Sequence, residues 1–319
     1  MLKKGFLPYT LVSTLGFPVS LILFTFISWE IFTLEPSISI FFYFLILRVI
    51  AAVFCLSFES LIPFDKEQPF EKNELKTDFL FYITNNFLLI PVIAVFHVTL
   101  CFWVIEALDY QNTFSLSNLP IYWEIVIGFF LMEYLSYWAH RLVHTQPLLW
   151  RGHATHHSPT SMYWLNNFRN NLLSYLVAFA LVYTPMYLLG ISKEFLIFRF
   201  SIFILLAPYQ HINADFKMGC LNYIFSAATN HRFHHSKNPK QANANFGLMV
   251  IIFDILHGTF INGDKYDKKI KMGLFSEVKG YKKHDFVFQE LAPYRSSLWK
   301  KKPSVNSMDV PVSVKQEQV

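Results

Sequence analysis

Eight of the twelve histidines in the chain stand in three short clusters, and a ninth stands ahead of the third. The first cluster is His140-Arg-Leu-Val-His144. Four residues is just over one helical turn, so both imidazoles leave the same face and can hold one metal ion together. The second is His153-Ala-Thr-His156-His157 and the third is His231-Arg-Phe-His234-His235. In each triplet the i and i+3 rings share a face while the adjacent ring projects to the side, so one triplet can touch two ions. His211 is the ninth. Imidazole suits Fe, Zn, Cu or Ni. A catalytic mononuclear zinc takes three protein ligands and keeps one position open, so nine clustered His are too many for one ion and fit two. No His-Glu-x-x-His occurs, which leaves the common zinc metallopeptidase layout unsupported. A polar network or a pH sensor would account for a lone His but not for this clustering. Of the other three, His97 reads as a helix-packing residue, His284 as a surface residue and His257 as part of a turn.

Such a site needs elements to hold it, and the composition says of what kind. The 319 residues are 53% hydrophobic, 18% aromatic and only 15% charged, too oily for a water-soluble chain of this size. Lys plus Arg exceeds Asp plus Glu by only 27 to 22, which argues against a basic nucleic-acid binder. Cys55, Cys101 and Cys220 form neither an even set nor a Cys-x-x-Cys pair and read as small apolar residues. A transmembrane helix needs about 20 apolar residues. Six apolar runs with few charges supply them: Leu7 to Trp29, Pro36 to Phe58 broken only by Arg48, Phe79 to Ile105 with a kink expected at Pro91, Ile121 to Ala139, and a hairpin of Leu172 to Ser192 and Phe195 to Ala214. Glu124 and Glu133 of the fourth should face protein or the interface. Lys3 and Lys4 could also open a signal peptide, but no small-x-small cleavage site follows, so a retained first span is expected.

The loops holding Glu30 and Glu35 and running from Asp109 to Pro120 carry no Lys or Arg, whereas Lys3, Lys4, Arg141, Arg151, Arg169 and the Lys-rich C-terminus fall on the other side. Both termini and the histidine clusters are therefore expected to be cytoplasmic. Between Asp264 and Lys302 ten Lys and one Arg face five acids, a surface suited to anionic headgroups, and residues 303–319 read as a disordered tail. The free N–H of a metal-bound imidazole needs an acceptor to fix its tautomer. Glu133, Asp215, Asn213 and Asp254 are the candidates, Glu133 foremost because it lies two turns before His140. Arg141, Arg151 and Arg232, beside the clusters, could pair with such acids or face headgroups.

The three clusters, with Gln210-His211-x-Asn213 before the last, Asn245-Phe246-Gly247 after it, and Phe253-Asp254-Ile255-Leu256-His257-Gly258-Thr259, resemble the fatty acid hydroxylase / sterol desaturase superfamily of integral membrane di-iron oxygenases. The likeness runs from about Tyr122 to Phe260. It implies an all-α fold in which membrane helices carry a cytoplasmic helical cap. It also implies two non-haem Fe ions and O2-dependent hydroxylation or desaturation of an unactivated C–H bond of a lipid. Carried over residue by residue, His140, His144, His153, His156, His157, His231, His234 and His235 match the eight-His set, and His211 matches a further His often found before the last box. Many members have a His where this chain has Asn171. Some relatives, including those that resemble ether-lipid (alkylglycerol) monooxygenases, lack it too, and Asn171 could meet a metal through water or hold a loop.

The resulting organisation is 1–120 for the first spans, 121–263 for the catalytic domain, 264–302 for a basic cytoplasmic segment and 303–319 for the tail. No haem, flavin, nicotinamide or P-loop fingerprint appears, so electrons must come from outside. The resemblance implies a cytochrome b5-like protein or a ferredoxin with its reductase, and the basic segment could dock an acidic carrier. The competing reading, a membrane protein that handles divalent metals without oxygen chemistry, requires acids or His lined up within the spans.

Overall fold

The computed structural model describes residues 1–33, 40–68, 71–109, 115–265, 270–275 and 278–299; the expected tail at 303–319 lies outside them. Among the described residues the chain is helical, with isolated bridges and no strand. Helix α1 is Leu7–Thr33 and α2 is Ile40–Leu61. A single continuous helix, α3, runs Lys72–Ala107. These three are long and apolar enough to cross a membrane. Only 22%, 22% and 17% of their apolar windows are buried, so most of their apolar surface, including Ile22, Phe42, Val53, Phe96 and Trp103, faces outward, as lipid-facing helices require.

Helix α4, Ile121–Thr145, is the element on which the site is built. Its two acids point into protein, as expected of carboxylates beside lipid: Glu124 accepts from Ser192 N and Oγ at 2.7 and 2.8 Å, and Glu133 pairs with Arg199. After the short α5, Pro147–His153, the expected hairpin forms from α6, Leu172–Leu188, and α7, Lys193–Leu206. Its turn packs on the residues that lead into α4: Leu116 N and Ser117 N donate to the carbonyls of Leu189 and Gly190 at 2.8 and 3.0 Å. Gly190 is required there. Its φ is +68°, and a Cβ would lie 2.2 Å from Ser115 Oγ.

The hairpin helices are shorter than the apolar runs that encode them, 17 residues in α6 and 14 in α7. After α7 a 3-10 turn with Pro208 near its start replaces α-helix, and this change of course brings Gln210 and His211 into the protein. In α3 and α6 a wide π turn, Asn85–Leu89 and Phe179–Tyr183, directly precedes Pro91 and Pro185. Each widening gives room where the ring would otherwise strike the carbonyl four residues back. Thr184 Oγ1 donates to Phe179 O at 3.2 Å and meets His97 Nε2 at 2.7 Å, which makes His97 a link between α3 and α6. The apolar core lies among α1, α2 and α7, around Phe24, Leu47, Cys55, Leu205 and Tyr209. A second cluster, with Met132, Met186 and Phe195, joins α4 to the hairpin. Cys55 and Cys101 are buried, as expected of small apolar residues, but Cys220 is exposed.

Candidate metal centre

The last two turns of α4 carry His140 and His144, α5 and the turn after it carry His153, His156 and His157, and helix α8, Ala228–His234, with the next residue carries His231, His234 and His235. Together with His211 these nine imidazoles form two groups that could each hold a metal ion. One consists of His140, His144, His153, His157 and His234; the other of His156, His211, His231 and His235. Neighbours in sequence divide between them, His156 from His157 and His234 from His235. The rings of His157 and His235 stack at 4.4 Å across the boundary, so the groups form one continuous cluster.

Main-chain carbonyls set the tautomers of three rings. His140 Nδ1 faces Phe246 O at 2.7 Å, His234 Nδ1 faces Ala244 O at 2.9 Å and His156 Nδ1 faces Arg169 O at 3.3 Å. A carbonyl only accepts, so the proton sits on Nδ1 and Nε2 presents a bare lone pair to the cluster. The Nε2 atoms crowd together: His140 to His153 at 3.1 Å, His157 to His234 at 3.1 Å, His211 to His156 and His235 at 3.2 and 3.1 Å, and His235 to His231 at 3.1 Å. Ligands about 2.1 Å from one ion stand roughly 3.0 Å apart at right angles and about 3.4 Å apart in a tetrahedron. Both ring nitrogens of buried His144 lack a hydrogen-bond partner, a costly arrangement unless a cation satisfies them. Burial, followed by repulsion within the cluster, holds His153, His157, His211, His231, His234 and His235 well below the usual imidazole range. Burial pushes His156 down to about 3. Neutral, inward-pointing and orphaned imidazoles are what a divalent transition metal needs, and the residues fit two such ions.

The Asn245-Phe246-Gly247 and Phe253-to-Thr259 motifs build the platform under His140. Asn245, at φ +57°, accepts from Ile261 N and donates to Asn230 O, each at 2.8 Å; Asn tolerates this left-handed conformation. Asp254 accepts from Phe246 N, Gly247 N and Thr259 Oγ1 at 2.7–2.8 Å. Burial raises Asp254 to about 7 against these bonds. A Cβ on Gly247 would stand 2.2 Å from Val250 O. Asp254 thus holds the peptide whose carbonyl orients His140, without touching a ring. Aromatic walls close the cluster: Phe246 lies 5.2 Å from His144, and Trp150 lies 5.2 and 5.3 Å from His144 and His157, with Phe275 against it at 4.2 Å.

None of the four acceptors expected for the imidazoles bonds one. Glu133 shares the face of His140, but its oxygens take Arg199 and the amides of Met249 and Val250. Asp215 takes Tyr9 and Lys217, and Asn213 takes the backbone of Asp65. Carbonyls do this work for His140, His156 and His234, and leave no mark in a sequence. Arg232 is buried, donates to Ile212 O and lies over Phe64; Arg141 donates to Tyr137 OH. Asn171 is fully committed as a loop holder. Its Oδ1 caps α6 through Leu173 N at 2.9 Å, and its Nδ2 donates to the carbonyls of Gln289 and Glu290 at 3.0 and 2.9 Å. His257 stacks on Tyr137 outside the cluster, and His284 meets Glu71.

Residues 125–259 match the fatty acid hydroxylase family, and all nine clustered His lie within that stretch. Over 156 residues the chain is 36% identical to ornithine lipid hydroxylase OlsE of Rhizobium tropici, covering 49% of this chain and 47% of that protein. It is 25% identical over 190 residues to alkylglycerol monooxygenase of Homo sapiens (59% and 42%), and 28% identical over 174 residues to that of Caenorhabditis elegans (53% and 33%). The chain spans less than half the length of these curated relatives. No solved structure matches.

Proposed function

We propose, from a chain whose residues 125–259 match the fatty acid hydroxylase family, that the protein is a membrane-bound non-haem di-iron oxygenase that hydroxylates an unactivated C–H bond of a lipid. O2 is the co-substrate, and the electrons come from a cytochrome b5-like protein or a ferredoxin with its reductase. The observation that carries the reading is the pair of contiguous, neutral, all-imidazole groups buried at one end of apolar helices. Two iron ions bound there would supply an oxidant able to attack an alkyl chain. The protein's part is to bind, orient and shield. His140, His144, His153, His157 and His234 hold one ion, and His156, His211, His231 and His235 hold the other. The carbonyls of Phe246, Ala244 and Arg169 fix three of the rings, and Trp150, Phe246 and Phe275 exclude water.

The names of the relatives, a hydroxylase and a monooxygenase, favour hydroxylation over desaturation and favour a polar glycerolipid or amino-lipid class for the substrate. Among the described residues the spans offer no continuous row of acids or His of the kind the metal-handling alternative requires. The polar groups along the spans pair off within the protein, Glu133 with Arg199, Glu124 with Ser192, Arg48 with Asn86 and His97 with Thr184. The proposed topology has six crossings, α6 and α7 forming the last two, with both termini and the metal centre cytoplasmic; 121–263 is the catalytic unit. His156→Ala and His234→Ala, one from each group, should abolish metal loading and lipid oxidation while the protein still inserts in the membrane. Full activity in either variant would refute the assignment.

A further inference from the structure

The segment from Val278 to Trp299 lies beyond the stretch that matches the family, yet it is tied to the second histidine cluster. Helix α9, Phe286–Leu291, carries Gln289, which is fully buried. Gln289 Nε2 donates to Lys283 O at 2.8 Å. Because that carbonyl can only accept, the amide has one orientation, and its Oε1 turns to Ser158 Oγ at 3.0 Å. Ser158 directly follows His157; its hydroxyl shares its proton between Gln289 Oε1 and Thr155 O, the latter at 2.8 Å, and takes Nη1 of Arg169. Arg169 in turn lends its carbonyl to His156 Nδ1. On the other flank of the turn, the hydroxyl of fully buried Thr155 meets Tyr281 OH at 3.1 Å and Gln289 O at 3.4 Å. The same carbonyl receives Asn171. Residues 155–158, which deliver one imidazole to each group, are therefore clasped on both sides by a segment more than 120 residues away.

We infer that Gln289 is a positioning residue for the metal centre. Through Ser158 and Thr155 it locks the His156-His157 turn, so that the strap from 278 to 299 governs how long both ions are held. The inference rests on the metal-binding reading above but needs neither oxygen chemistry nor a known lipid. Loss of groups that orient metal ligands typically costs 10–100-fold in affinity.

The test uses the full-length protein in detergent, loaded with cobalt(II), with release to a chelator followed by the ligand-field bands and Tm recorded in parallel. Gln289→Met keeps the volume and removes both side-chain bonds; Ser158→Ala removes the partner. Each should speed cobalt release about tenfold or more and shift the bands. The double variant should release more slowly than the product of the two single effects, since the Ser158–Gln289 bond is common to both, while Ser158→Ala also loses Thr155 O and Arg169 Nη1. If Gln289→Met does not fold, the milder Ser158→Ala decides through its release rate against wild type. Release at the wild-type rate overturns this inference alone, as does strict additivity, which marks two unrelated losses of stability. Failure of the wild-type protein to take cobalt overturns it together with the metal reading.

Discussion

Asn171 shows how one residue can trade a role at the metal for a role in the scaffold. It begins α6, closes the strap through two carbonyls, and has no group left over for a ligand. Asn171→Ala should cost about 1 kcal/mol for the lost cap and about 1 kcal/mol more for the lost clamp, seen as a drop of several degrees in Tm. Asn171→His should fare no better, because an imidazole cannot both accept from Leu173 N and donate to two carbonyls. A gain in stability or metal content in Asn171→His would contradict this role. At this scale the nine imidazoles that the structure gathers were legible as candidate ligands, since imidazoles spaced for metal binding are rare by chance. Their acceptors were not, because every peptide offers a carbonyl and only the fold chooses which one meets a ring. Glu133 had the right helical face, but a buried arginine on α7 took it.

Among the elements, the strap is the one that residue pattern concealed. Its lysines read as a solvated basic surface, and its buried residues, Phe288, Gln289, Ala292 and Pro293, are too few to make a periodic signal. It carries a pH signature. Glu290 is half-buried; its Oε2 accepts from Asn171 Nδ2 and Leu172 N, while its buried Oε1 has no partner. Burial raises it from 4.5 to about 7. The folded state therefore holds this proton more tightly than the unfolded chain, so its contribution to stability is full below about pH 4.5 and is lost as pH rises through about 7. Thermal unfolding between pH 5 and 8 should show a decline in Tm that is shallower in Glu290→Gln, the remainder coming from groups such as Asp254; an identical decline in both would show that Glu290 does not titrate in that window. The long helices were legible because hydropathy reports lipid exposure directly. The ends of α6 and α7 were not, because Pro208 and the path to His211 end the helix inside a run that is still apolar.

For the whole molecule, the exposed Cys220 serves as a native probe of topology. It follows the His211 segment on the side of the metal centre, while Cys55 and Cys101 are buried. A membrane-impermeant maleimide should label Cys220 in inside-out vesicles and not in sealed right-side-out ones; labelling from the outer face would reverse the proposed orientation. The same architecture explains the division of labour in the chain. Helices α1 to α3 supply an apolar exterior, α4 and the hairpin supply a wall, and the short elements after residue 145 help gather nine imidazoles from α4, α5, α8 and the turn after α7 into one cluster. Two groups sharing adjacent residues are the feature from which the oxygenase reading follows. The most direct measurement is elemental analysis with Mössbauer spectroscopy on protein purified from iron-supplemented cells, beside His156→Ala. Two coupled iron ions per chain, absent or uncoupled in the variant, are the expected result; zinc or no metal in the wild type, with no O2 consumption after reconstitution with iron, would contradict it.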